Sequence, residues 1–187
     1  MDYEDNSELK VDLVFKFSQS IEHLKTSNKC DLIFDNLFWK DVFTKWINCV
    51  IHDKRSRFSS ILNGSSFSLS FEFLNNLEIK QLNKKWLNKD FATDVLSFPM
   101  ITGDYQFADL DCIELGDLFI SYEMALSQSR KHRHSLHDEV IWLASHGFLH
   151  LLGWDHPDEK DLQNMLDFQD YLISILDFKN KTNESFF

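Results

Sequence analysis

Between Phe67 and Phe73 the chain alternates without a break: Phe67, Leu69, Phe71 and Phe73 fall on one side, Ser68, Ser70 and Glu72 on the other. A period of two belongs to an extended strand, whose successive side chains point to opposite faces, so this segment predicts a sheet with a strongly apolar face. Val11, Leu13, Phe15 and Phe17, alternating with Asp12, Val14 and Lys16, predict a second half-buried strand. Val95-Leu96-Ser97-Phe98 predicts a short strand ended by Pro99, and Leu115 to Ser121 predicts another. Helical spacing runs from about Leu37 to Ile51 through Trp39, Val42, Phe43, Trp46 and Val50, and a short helix puts Ile79, Leu82 and Trp86 on one face. Further helices are predicted at Tyr122 to Gln128, Leu136 to Leu152 and Asp158 to Leu176. The last has Pro157 at its start and Asp158 and Glu159 at its positive dipole end. Thr102 to Glu114 is acidic and irregular and reads as a loop. Strands early and helices late predict an α+β fold: a single compact domain with one small mixed β-sheet packed by helices.

At 187 residues the chain is sized for one domain, 1–187, with an ordered core at about 11–176 and polar-leaning ends that fray. Eighteen Phe and five Trp exclude disorder as the main state. A net charge of −11 argues against coating nucleic acid by bulk charge, while leaving room for a local basic groove. No apolar run reaches the roughly 18 residues of a membrane span. The acidic start, Met1-Asp2-Tyr3-Glu4-Asp5, is unlike a basic leader, so the expected location is cytoplasmic, away from membranes. Cys30, Cys49 and Cys112 form no CxxC pair; they suit a reducing compartment and small buried side chains better than a disulfide scaffold.

The chemistry concentrates at Ser145 to His156. His146 and His150 are four apart, so a helix stacks them on one face, where both reach one metal ion. Gly153 stands where the helix must stop in a left-handed residue for His156 to fold back as a third ligand. Three imidazoles with an open fourth position suit zinc, one ion per chain, although nickel, cobalt or copper also take imidazole. Such a site lowers the pKa of bound water and points to hydrolysis. The spacing is that of metzincin peptidases, but their general base follows the first His directly, and here that residue is Gly147. A standard peptidase is therefore disfavoured. Gly147 itself implies close packing of a neighbouring strand or room for substrate. Glu139, two turns before His146, is the nearest helical carboxylate; its expected role is a structural hydrogen bond or support of a metal ligand. No catalytic base is assigned.

His146-Gly147-Phe148-Leu149-His150-Leu151-Leu152-Gly153-Trp154-Asp155-His156 resembles the signature of the YbeY family of bacterial metal-dependent endoribonucleases. Leu82-Asn83 followed by Thr93 to Pro99, the segment Leu115 to Ser121, and Met165 and Gln169 extend the resemblance over roughly Val11 to Leu176. It implies a zincin-like helix whose zinc is held by His146, His150 and His156. It also implies cleavage of single-stranded RNA, maturation of the 3′ end of 16S rRNA from its precursor, and ribosome quality control at the small ribosomal subunit. One position departs from the family pattern: Leu87 stands where an arginine is thought to hold phosphate. Leucine offers no bidentate fork. Lys84, Lys85 and Lys89 lie nearby, and a second basic run, Arg130-Lys131-His132-Arg133-His134, precedes the histidine helix. Lys85, Lys89, Arg130 and Arg133 are the candidate RNA contacts, against a reading of the second run as a charge complement to a helix C-terminus. Leu87 also keeps open an alternative: a ribosome-associated binding factor with a largely structural metal and weak or no nuclease activity.

Overall fold

The computed structural model describes residues 9–27, 32–56, 66–101 and 112–176. Along the chain run β1 (Val11–Phe17), α1 (Glu22–Ser27), a 3-10 turn (Leu32–Phe34), α2 (Asn36–His52), β2 (Ser66–Leu74), α3 (Asn76–Leu87), β3 (Val95–Pro99), β4 (Cys112–Ser121), α4 (Tyr122–His132), α5 (Leu136–Leu151) and α6 (Glu159–Ser174). The four strands lie in the order β1-β2-β4-β3. β1 and β4 flank β2 in parallel, and β3 pairs with β4 antiparallel at the edge. The sheet is therefore mixed, as the sequence predicts.

The alternation of β2 is realised in full, with Phe67, Leu69, Phe71 and Phe73 buried and Ser66, Ser68, Ser70 and Glu72 half-buried. Its apolar face meets α2, whose Trp39 and Phe43 rings lie 4.7 and 5.7 Å from Phe71, centre to centre. Behind them Phe148 of α5 packs 5.5 Å from Trp46, and the Trp46 indole donates to the Leu172 carbonyl of α6 at 2.9 Å. A smaller cluster of Leu74, Ile79 and Leu96 gathers under α3, joined by Phe98 and Phe119. Since Leu118 and Ile120 belong to the large cluster and Phe119 to the small one, the pleat of β4 divides two apolar layers.

Several elements differ from their predicted form. β4 begins at Cys112, so the end of the predicted acidic loop is strand; the remainder of that loop lies outside the described residues. Trp86 is exposed rather than on the buried face of α3, which presents Ile79 and Asn83 instead. α4 runs four residues past Gln128, and α6 starts after its Asp158 cap, leaving Pro157 outside the first turn. Cys49 is half-buried and Cys112 exposed, both as free thiols, while Cys30 lies outside the described residues.

Two glycines fix how closely these pieces approach. At Gly116 (φ +127°) a Cβ would stand 2.1 Å from the Phe98 carbonyl oxygen, so β3 and β4 meet backbone to backbone. At Gly147 a Cβ would fall 2.3 Å from Leu118 Cδ1 and 2.9 Å from both Ser97 Oγ and Val95 Cγ2. Close strand packing thus explains Gly147, and Ser97 Oγ donates to its carbonyl at 2.9 Å. The position that carries the peptidase base in metzincins faces the sheet here and admits no side chain.

Candidate metal centre

Seating α5 on β3 and β4 leaves His146 and His150, in its last turns, beside β3 at an open pocket of about 590 Å³. The helix ends as the sequence requires. Gly153 takes φ +79°, its N–H donates to the His150 carbonyl at 2.9 Å, and the Trp154 N–H donates back to Leu149 at 3.0 Å, a Schellman closure. The turn carries His156 back to the first two histidines. One ring nitrogen from each of His146, His150 and His156 lies within 4.8 Å of the others.

The tautomers follow from the partners. Gln169, fully buried on α6, donates through Nε2 to the Trp142 carbonyl at 3.0 Å, which turns its Oε1 toward His146 Nδ1 at 3.1 Å. His150 Nδ1 lies 2.9 Å from the Trp154 carbonyl oxygen. Both oxygens can only accept, so both Nδ1 atoms carry hydrogen in the neutral rings and both Nε2 lone pairs are free; these two atoms stand 3.1 Å apart. Burial is the largest influence on both imidazoles and holds each below the usual histidine pKa, with Gln169 and the Trp154 carbonyl opposing it. Neutral, oriented imidazoles around a pocket are a donor set that fits a divalent metal ion.

The other candidates separate into two places. Leu87 and Lys89 line the histidine pocket. Lys84 is held by Asp90 at 2.9 Å, and Lys85 sits 4.9 Å above the Trp86 ring. Arg130 closes α4 with Lys131 and His132 in its last turn, and Arg133 is its left-handed cap (φ 61°). That run sits at the end of α4, where cations complement the helix dipole, and is not among the residues that line the pocket. Glu139 is buried, and its carboxylate is engaged by His132 and His134 across the α4–α5 junction. These three side chains form a second cluster with metal-ligand spacing, in which the carboxylate is already satisfied by two imidazoles.

Sequence reasoning gave Asn83 no role of its own and passed over Trp142. Asn83 is buried, and its Nδ2 donates to the Phe91 carbonyl at 2.9 Å while its backbone carbonyl accepts from Lys89 N–H at 3.2 Å. A buried amide at the end of a short amphipathic helix, just before a polar loop, was the available signal. Trp142 lies parallel to His146, 4° between planes and 5.6 Å between centres. Asp94, in the pocket wall, is committed to Val95 N–H, Thr93 Oγ1 and Gln128 Nε2.

Fold and site together define an α+β protein built around a three-histidine cradle open on its pocket side. The family model described as Endoribonuclease YbeY matches residues 23–177. A relative named Endoribonuclease YbeY from Prochlorococcus marinus (strain AS9601) is 53% identical over 175 residues, covering 91% of this chain and 97% of that protein. Another of the same name from strain MIT 9515 is 49% identical over 176 residues, covering 92% and 98%. A solution structure from Thermotoga maritima superposes with a TM-score of 0.55 at 19% identity, covering 92% of this chain and 94% of that one, a likeness of fold. The chain belongs to the YbeY family of endoribonucleases, which are RNA-cleaving hydrolases. No helix among the described residues is long and apolar enough to cross a membrane.

Proposed function

We propose that residues 1–187 act as one domain, a zinc-dependent endoribonuclease of the cytoplasm that cuts single-stranded RNA. Its substrate on this reading is rRNA precursor at the 3′ end of 16S rRNA, with the small ribosomal subunit as partner in maturation and quality control. The observation that carries the reading is the convergence of His146, His150 and His156 in a pocket that also contains Lys89. His146, His150 and His156 would hold the zinc, which would supply Lewis-acid stabilisation of the charge developing on the phosphate.

The chain's own residues do the positioning. Gln169 and the Trp154 carbonyl fix the rings of His146 and His150, so their lone pairs need no reorientation on loading. Lys89 makes no ion pair among the described residues and is the only Lys or Arg of the pocket wall, so it takes the phosphate contact that Leu87 cannot make.

The test is an end-labelled RNA, single-stranded and annealed into duplex, incubated with zinc-loaded protein. Cleavage confined to the single strand and lost in His156→Ala supports the reading; equal cutting of duplex contradicts it. Leu87 favours a second reading, a ribosome-binding factor with a structural metal. Small-subunit binding with no difference in cleavage between wild type and His156→Ala selects that one.

A further inference from the structure

The wall of the histidine pocket formed by the end of α3 and the loop after it combines exposed apolar side chains with a cation. Phe91 is 57% exposed and Leu87 is 47% exposed, and both border the pocket that holds Lys89 and the three histidines. The Phe91 ring makes no aromatic contact among the described residues. Large apolar side chains gain by burial, so two of them left facing a cavity mark a surface that something else covers.

The segment that carries them is tied back to α3. The buried Asn83 side chain donates to the Phe91 carbonyl, and the Asn83 backbone carbonyl accepts from the Lys89 N–H. Between those points Asp90 is bound by Lys84 at 2.9 Å and Lys80 at 3.3 Å. Phe91 is thus presented on a braced loop, and its exposure is part of the design of the wall. Lys89, two residues earlier, places a cation in the same wall.

Resting on the endoribonuclease reading above, we infer that Phe91, with Leu87 beside it, forms a nucleobase subsite: an unpaired base of the substrate stacks on the Phe91 ring while Lys89 meets its phosphate. An aromatic face alternating with a cation is how proteins hold single-stranded nucleic acid, because every unpaired base offers a π-face and every linkage a charge. A paired base has its faces taken by its neighbours in the stack. The subsite therefore gives the pocket a physical reason to prefer single strands.

The experiment compares zinc-loaded wild type with Phe91→Ala, Phe91→Trp and Phe91→Leu on one single-stranded RNA. The same RNA is also tested with single abasic riboses scanned across the cut. Phe91 is exposed, so the variants keep the fold. Phe91→Ala is expected to raise KM by about five- to a hundred-fold, the range of one stacked base, with kcat changed less than about twofold. Phe91→Trp retains the wild-type KM and Phe91→Leu does not. One abasic position weakens the wild type and leaves Phe91→Ala indifferent. An unchanged KM in Phe91→Ala, full rescue by leucine, or an abasic penalty equal in both proteins overturns the subsite while leaving the endoribonuclease reading intact. A wild type that leaves every RNA uncut overturns both.

Discussion

Gln169 on α6 holds His146 on α5 by a single amide whose two ends are both in use, Oε1 toward His146 Nδ1 at 3.1 Å and Nε2 to the Trp142 carbonyl at 3.0 Å. The amide cannot turn over without setting an NH₂ against His146 Nδ1–H and an oxygen against a carbonyl. Gln169→Leu keeps the volume and removes the hold. It is expected to weaken zinc binding by about 10–100-fold, the usual cost of losing such an orienting partner, and a competition titration against a chromophoric chelator measures it.

Gly147 and Gly153 are required for different reasons. Gly147→Ala drives a methyl into Leu118, Ser97 and Val95 and should cost about 1–3 kcal/mol, as overpacked cores do. Gly153→Ala places a Cβ on a residue at φ +79°, at about 1–2 kcal/mol. Denaturant unfolding of the two variants checks both values. Gly147→Ala should also lower zinc affinity, because it pushes the ligand helix off the sheet.

The pH dependence follows from the two buried rings. In the unfolded chain His146 and His150 take protons near their ordinary value of 6.5, whereas in the folded, metal-free protein burial lets them do so only at lower pH. Below about pH 6.5 the unfolded state binds more protons, so stability falls as pH drops and levels off once the folded rings are also protonated; above that value the two rings contribute no pH dependence. Thermal melts of metal-free protein between about pH 8 and pH 5 should show this decline, reduced in the double variant His146→Gln, His150→Gln.

Lys89 and Lys84 lie in one short stretch but face different tasks. Lys89→Ala should lower kcat/KM on RNA by about tenfold, the size of one charge-assisted hydrogen bond. Lys84→Ala, which only frees Asp90 from one of its two lysines, should change it less than about twofold. Leu87→Arg should strengthen RNA binding and steepen its salt dependence by about one phosphate contact.

What the sequence disclosed was governed by locality. The strands β1 and β2 and the helix α2 were legible because each carries its own period, and the three histidines because helix geometry and one glycine bring them together. The partner of β4 was not legible, since the order β1-β2-β4-β3 is set by contacts between distant segments. The end of α4 was lost because Ser129 to His132 lacks an apolar period, although Ser129 is buried there and Arg133 supplies a left-handed cap without being glycine. Trp86 satisfied the helical spacing of α3 yet points outward, because the buried place one turn back is filled by Asn83, whose amide braces the Phe91 loop. A polar residue that serves the backbone of another segment leaves no hydrophobic signature.

The measurement that tests the account most directly is cleavage of an end-labelled single-stranded RNA by wild type and His150→Ala, purified identically, after chelator stripping and again after zinc is restored. The account predicts that stripped wild type is inactive, that zinc restores it, and that His150→Ala stays inactive at a zinc concentration that saturates the wild type. Equal cleavage by the two proteins, or wild-type activity that survives stripping, would contradict a metal centre built on these histidines.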